Sequence, residues 1–290
     1  MNHKHRHPHK EHNHSEEPPA KKSLGQCFLA DSSYSRRLVS ALGLKADNTV
    51  LEIGPGRGIL TEELLQSGAR VIAVEIDQRL LDPLVQKFGS YPNFTLWHED
   101  FVETDLEHIL PQGSVKVAGN LPYHLVSEVL YKLFIHARKA RQDSALPWVE
   151  TAVLMMQKEV ADRVTAKPDS KAWGKLSVFA QLEAYCHAMF TVPAGAFRPE
   201  PKVDGGVVRL DFQRIPEAYP EDYQTLERIV RYTFHQRRKM LKTSLSGLAG
   251  VHPFWQEAEI DFKRRPETLT PAEWVYLADV VFRAHSRKNA

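Results

Sequence analysis

A chain of 290 residues that is 42% hydrophobic and 26% charged can bury one large core and a smaller second one, because domains usually run to about 100 to 200 residues. No apolar stretch approaches the roughly 18 residues of a membrane span, and Cys27 and Cys186 stand far apart, outside any Cys-x-x-Cys pair, which points away from a disulfide framework or zinc site and toward a reducing cytoplasm. The formal net charge of +2 is too small to mark a nucleic-acid binder, so any such case rests on where the charges lie.

Residues 1–20 hold six histidines (His3, His5, His7, His9, His12, His14), three prolines and almost no apolar side chains, a composition that cannot offset the entropy of ordering. They read as a disordered tail with no assigned metal role. Pro8, Glu11, Glu16 and Glu17 oppose an amphipathic targeting helix, and no apolar signal core follows. From Thr49 onward, short apolar runs alternate with helical periodicity, the pattern of parallel strands joined by crossover helices. Strands are expected at 49–53, 70–75, 94–98, 115–119 and 151–157, with helices at 59–66, 78–88 and 126–136. Asp82-Pro83 should start or kink the second helix. A helix at 175–185 and strands at 187–192 and 205–212, joined across proline-rich 193–201, complete a seven-stranded α/β sheet. Beyond Pro216 only helical patterns remain, at 223–234, 239–248 and 271–285. The expected division is a tail at 1–20, an α/β domain at 21–214 and a small helical domain at 215–290. From Arg214 to Ala290 there are 13 Lys/Arg against 10 Asp/Glu, with the excess in Arg237-Arg238-Lys239, Lys242 and Lys263-Arg264-Arg265.

Leu51-Glu52-Ile53-Gly54-Pro55-Gly56-Arg57-Gly58 leaves a buried strand and enters a helix. Such turns bring backbone close to a nucleotide, which makes Gly54, Gly56 and Gly58 candidates for binding one. Glu75, with Ile76 beside it, ends the next strand, where a carboxylate can accept hydrogen bonds from both ribose hydroxyls; Asp100 and Phe101 follow the third, placed to meet an adenine. A dinucleotide and S-adenosylmethionine both suit this layout. The G-x-G-x-G spacing lacks the last interval of the dinucleotide fingerprint, and Glu52 stands where a carboxylate can face a cationic ligand, so the sulfonium cofactor is favoured.

Asn120-Leu121-Pro122-Tyr123 follows the fourth strand, and open α/β sheets assemble their sites at strand carboxyl ends. The exocyclic amine of adenine is a poor nucleophile because its lone pair is delocalised into the ring. The Asn120 side-chain oxygen and a main-chain carbonyl at Leu121 can accept its two hydrogens and localise that pair, while Tyr123 stacks on the base. Phe197-Arg198-Pro199-Glu200-Pro201-Lys202-Val203 is expected to supply the opposite wall, with Phe197 stacking and Lys202 holding a phosphate.

These motifs resemble the ribosomal RNA adenine dimethyltransferases of the KsgA/Dim type, and the resemblance spans Lys22 to the last helix. Lys22-Ser23-Leu24-Gly25-Gln26-Cys27-Phe28-Leu29 is similar to the family element that closes over the cofactor, which implies contacts from Gln26, Cys27 and Leu29. The glycine loop, Asn120 to Tyr123, Phe197 to Val203, Met156-Gln157-Lys158-Glu159-Val160 and Trp173-Gly174-Lys175-Leu176-Ser177-Val178 all have family counterparts. Cys27, His124 and Trp173 stand where the family usually has asparagine, asparagine and tyrosine. The resemblance implies a Rossmann-like class I methyltransferase domain with a mostly parallel seven-stranded sheet and a helical RNA-binding domain. It also implies dimethylation of two adjacent adenines near the 3′ end of small-subunit (16S) ribosomal RNA within an immature ribosomal particle. A monomer is expected.

Phe234-His235-Gln236-Arg237-Arg238-Lys239 resembles a family segment at the start of a helix, and Arg237, Arg238 and Lys239 are expected to neutralise phosphates. Three other functions compete with this reading. The same chemistry can act on large-subunit RNA, as in antibiotic-resistance methyltransferases, or on a small molecule, or the fold can serve a nucleic-acid-binding factor without turnover. The intact glycine loop and Asn120 to Tyr123 weigh against the last, and the basic helical domain against the small molecule.

Overall fold

The computed structural model describes residues 18–21, 24–213, 218–248, 251 and 254–289. In chain order the elements are β1 (Phe28–Leu29), α1 (Ser32–Leu42), β2 (Thr49–Ile53), α2 (Ile59–Gln66), β3 (Arg70–Glu75), α3 (Gln78–Phe88), β4 (Phe94–His98), α4 (Leu106–Ile109), β5 (Ser114–Asn120), α5 (Val126–Gln142) and β6 (Trp148–Gln157). There follow α6 (Lys158–Val164), α7 (Lys175–Glu183), β7 (Tyr185–Val192), β8 (Phe197–Arg198), β9 (Gly205–Asp211), α8 (Tyr223–His235), α9 (Leu241–Leu245) and α10 (Pro271–Asn289).

Seven strands form one sheet in the order β4-β3-β2-β5-β6-β9-β7. The ladders from β4 through β6 are parallel, and β9 runs antiparallel to both neighbours. The order turns back beside β2, which pairs with β3 on one side and β5 on the other, and the crevice beyond the carboxyl ends of two such strands is where ligands bind in open α/β sheets. Alternation along β2 splits its side chains between two cores. Leu51 and Ile53 join the face covered by α4 to α7, and Val50 joins the face covered by α1, α2 and α3.

Two helices show how local chemistry and burial compete. α1 carries no clear apolar repeat at its polar start, but the Asp31 side chain caps it by accepting from the Ser33 N–H, and Leu38 and Leu42 are buried. α3 does not start at Pro83 but carries it inside, running from Gln78 to Phe88: Asp77 caps its start, and the buried stripe Leu80, Leu84, Phe88 outweighs the one backbone hydrogen bond a proline forfeits. The helix expected at 239–248 is confined to α9, and α5 extends beyond His136 to Gln142.

A third core joins α8, α9 and α10 through Leu226, Ile229, Leu241, Trp274 and Leu277 to Trp173, Phe179 and Leu182, which precede or belong to α7. The helical part thus shares its core with the sheet-bearing part. The boundary expected at 214 lies outside the described residues, as does nearly all of the expected tail. Pro18 and Pro19, at its end, lie against the fold, their carbonyls accepting from Arg57 and Arg79. No described helix is long and apolar enough to cross a membrane.

Candidate active site

A cleft of about 1170 Å³, its open mouth included, lies beyond the carboxyl ends of β2, β3, β4 and β5. The register explains why these segments converge. Ile53 of β2 pairs with Gly119 of β5, so Gly54 and Asn120 emerge side by side. A Cβ on Gly119 would come within 2.9 Å of the Ile53 carbonyl oxygen, so the close approach requires glycine there. Glu75 pairs with His98, which brings Asp100 into the cleft two residues beyond.

Glu75 is buried, one oxygen accepting from the Gly56 N–H at 3.1 Å and the other from the Asp77 N–H at 2.9 Å. Burial pushes its carboxyl up, against those two hydrogen bonds. A carboxylate has about four acceptor positions, so the group can still receive two hydroxyls. Asp77 clamps the amino-terminal segment: Gln26 donates its side-chain amide to Asp77 at 2.8 Å, and its carbonyl oxygen accepts from the Lys21 N–H at 2.7 Å. The hydrogen-bonded Arg79 guanidinium, aided by Gln26, holds the Asp77 carboxyl down at about 2. Asp77 was absent from the sequence reading, although its place two residues beyond Glu75 at a helix start was a usable signal.

Asn120 sits at the end of β5 and donates its side-chain nitrogen to the main-chain carbonyl of Cys27 at 3.1 Å. With the nitrogen bonded there, the amide oxygen is the acceptor this cleft-lining residue retains. The Leu121 N–H is bonded to the Met155 carbonyl at 2.9 Å, which anchors the turn to the sheet. Tyr123 lines the cleft with its hydroxyl buried and unpartnered, and burial pushes that hydroxyl up to about 12. Burial also raises the Cys27 thiol.

Of the residues singled out by sequence, Gln26, Cys27, Leu29, Gly54, Gly56, Glu75, Ile76, Asp100, Phe101, Asn120, Leu121, Pro122 and Tyr123 line this one cleft. Phe28, Arg57, Glu99, Val102 and Val129 also line it and were missed. Three expectations fail on geometry. Glu52 does not face the cleft: strand alternation turns it under α2, fully buried, where one oxygen accepts from the Thr61 hydroxyl at 2.7 Å and the other has no partner. Burial pushes its carboxyl up to about 8. Gly58 is a packing glycine: it starts α2 at φ +78°, and a Cβ there would lie 2.3 Å from the Phe88 ring. Phe197, 1% exposed, packs into the core with Val192 and Val207 through the β1–β8 pairing, so its ring forms no wall of the cleft.

The basic cluster divides as well. Arg237 is committed to an ion pair with Glu267 and to the carbonyls of Ser170 and Lys171, so it ties two segments together instead of offering a free charge. Arg238 and Lys239 are exposed in the turn between α8 and α9, not at a helix start, and Lys202 is exposed in its loop. The Met156 to Val160 and Trp173 to Val178 elements make structural bonds: the Lys158 N–H donates to the Asp204 carbonyl at 2.9 Å, and the Ser177 hydroxyl donates to the Arg163 carbonyl at 2.5 Å.

The pattern of the family described as Ribosomal RNA adenine dimethylase matches residues 19–281. The chain belongs to this family. Among its relatives, the Ribosomal RNA small subunit methyltransferase A of Pseudomonas aeruginosa is 39% identical over 261 residues, covering 90% of this chain and 94% of the relative. That of Ligilactobacillus salivarius is 37% identical over 274 residues, with 90% of each chain covered. Among solved structures, the 23S rRNA methyltransferase ErmE is similar with a TM-score of 0.65 at 25% identity, over 88% of this chain and 99% of that one. A dimethyladenosine transferase from Plasmodium falciparum shares the fold with a TM-score of 0.69 at 23% identity, over 86% and 95%. As a ribosomal RNA adenine dimethylase the chain is an S-adenosylmethionine-dependent methyltransferase.

Proposed function

We propose that this dimethylase transfers four methyl groups to the exocyclic amines of two adjacent adenines near the 3′ end of small-subunit ribosomal RNA. It acts in the cytoplasm as a monomer on an immature ribosomal particle. The observation that carries the reading is Asn120: its side-chain nitrogen is held by the Cys27 carbonyl, and the residue lines one cleft with Glu75, Asp100 and Tyr123. In this reading Glu75 receives the ribose hydroxyls of the cofactor, and Ile76, Asp100 and Phe101 surround its adenine. The donor set fits, since the Glu75 carboxylate keeps acceptor positions after its two backbone bonds.

S-adenosylmethionine, when bound, supplies a methyl group that is already activated, so the task left to the chain is to orient the target amine. Asn120 Oδ1 and the Leu121 carbonyl accept the two amine hydrogens, which favours a tetrahedral nitrogen with its lone pair aimed along the transfer axis. Tyr123 stays protonated through the neutral range and offers an aromatic face to the base. Phe197, expected to stack on the base, is buried and does not line the cleft.

Small-subunit RNA is favoured over large-subunit RNA because the relatives at 37–39% identity are named for the small subunit, whereas the 23S enzyme ErmE is 25% identical. The test is incubation with labelled cofactor and separated ribosomal subunits from unmethylated cells, with the modified base mapped by mass spectrometry. Label on N6-dimethyladenine in small-subunit RNA is the expected result. Label confined to large-subunit RNA would overturn it.

A further inference from the structure

The loop after β4 reads Glu99-Asp100-Phe101-Val102-Glu103-Thr104-Asp105, four carboxylates in seven residues. Like charges so closely spaced push a loop open. This one is instead folded back, and its residues Glu99 to Val102 line the cleft. Within it, Asp100 accepts from the Val102 N–H at 2.9 Å, and its carbonyl accepts from the Glu103 and Thr104 N–H groups.

What closes the loop from outside is a side chain of α5. The Lys132 ammonium donates to the Val102 carbonyl at 2.8 Å and to the Thr104 carbonyl. It lies 5.3 Å from the centre of the Phe101 ring, within the range of a cation–π contact. Glu103, Asp100, Asp105 and Glu99 all act on it electrostatically. One cation thus binds two main-chain oxygens, an aromatic face and the field of four acids. Val129, one turn earlier on α5, lines the cleft, so the helix that forms part of the wall also sets the height of the loop.

We infer that Lys132 is a positioning residue for the cofactor, holding 100–104 in the shape that presents Asp100 and Phe101 to an adenine ring; this rests on the reading of the cleft as the S-adenosylmethionine site. Lys132 is not among the residues that line the cleft. Its loss therefore acts on cofactor affinity and leaves the orientation of the amine by Asn120 in place.

The test uses the full chain with Lys132→Met, which keeps length and apolar bulk but removes the donors. Titration calorimetry with S-adenosylhomocysteine should show a loss of affinity on the order of tenfold. KM for S-adenosylmethionine should rise in parallel, with kcat falling by less than about twofold, and Lys132→Arg should recover most of the loss because a guanidinium can also span two carbonyls. Amide hydrogen exchange at 100–105 should speed up in the methionine variant and return to normal with saturating ligand. Should that variant not fold, Lys132→Gln, which keeps a donor group, should show the same ordering with a smaller loss. Asp100→Ala, run alongside, tests the site itself. Weak binding by Asp100→Ala with normal binding by Lys132→Met would overturn the role of Lys132 and leave the site standing. Normal binding by both would overturn both, and a fall in kcat with unchanged KM would also defeat the inference.

Discussion

Replacing Glu52 by glutamine tests whether this carboxyl is a neutral strut or a counter-charge for the cofactor. Glu52 is fully buried and bonded through one oxygen to Thr61, and its carboxyl is pushed from 4.5 up to about 8. An acid whose folded value is raised costs nothing at low pH, where both states are protonated. The cost grows as pH climbs past the unfolded value, because only the unfolded chain can then release the proton, and it levels off above about 8. Gln keeps the shape and an acceptor for Thr61 but does not titrate. Between about pH 5 and pH 8 the stability of wild type should therefore fall relative to Glu52→Gln by about 3 to 4 kcal/mol, from 1.36 kcal/mol per pK unit. Urea unfolding of both proteins at those pH values measures the difference, and Glu75 and the remaining acids, present in both, cancel. A gap between the two proteins that does not change with pH would show that Glu52 is ionised in the folded chain and refute the reasoning. Titration with S-adenosylmethionine adds a second reading: near-equal affinity is expected, because the group does not line the cleft.

Asn120→Ala should lower methyl transfer by on the order of 100-fold or more while S-adenosylhomocysteine still binds, read by single-turnover assays and calorimetry; equal loss of both would place Asn120 with the cofactor alone. Phe197→Ala should destabilise the fold by roughly 3 to 5 kcal/mol, as emptying a packed core does, and denaturant unfolding with wild-type stability would show the ring to be free. Substituting Arg238 and Lys239 together by alanine should reduce the salt slope of RNA binding by about 2 with little change in melting temperature. Arg237→Ala should lower the melting temperature instead, since it removes the ion pair to Glu267 and a donor from each of two carbonyls, and an unmoved melting point would contradict that assignment.

The sheet and the cleft were legible because they depend on local signals. Period-two and helical runs marked every strand of the large sheet, and the positions at or just beyond strand ends, Gly54, Glu75, Asp100 and Asn120, were found by the same rule. Glu52 was misplaced although the parity was readable: with Leu51 and Ile53 facing one layer, the residue between them had to face the other. Gly58 and Phe197 carried family motifs whose packing partners, Phe88 and Val192, cannot be inferred from motif spacing. Arg237 and Arg238 are adjacent in sequence, and what separates their roles is Glu267, thirty residues on. Lys132 gave no signal at all, because its partners are main-chain oxygens, which every residue carries.

That last point bears on Cys27. The bond that orients Asn120 runs to the peptide carbonyl at position 27, not to the side chain, so substitution there leaves the amide as well aimed as before. What the arrangement cannot absorb is a change of chain length between position 27 and β1, which would carry a different carbonyl past the amide. Drift in residue type is tolerated at this spot, whereas an insertion or deletion is not, and a lineage can lose the customary asparagine without losing the reaction.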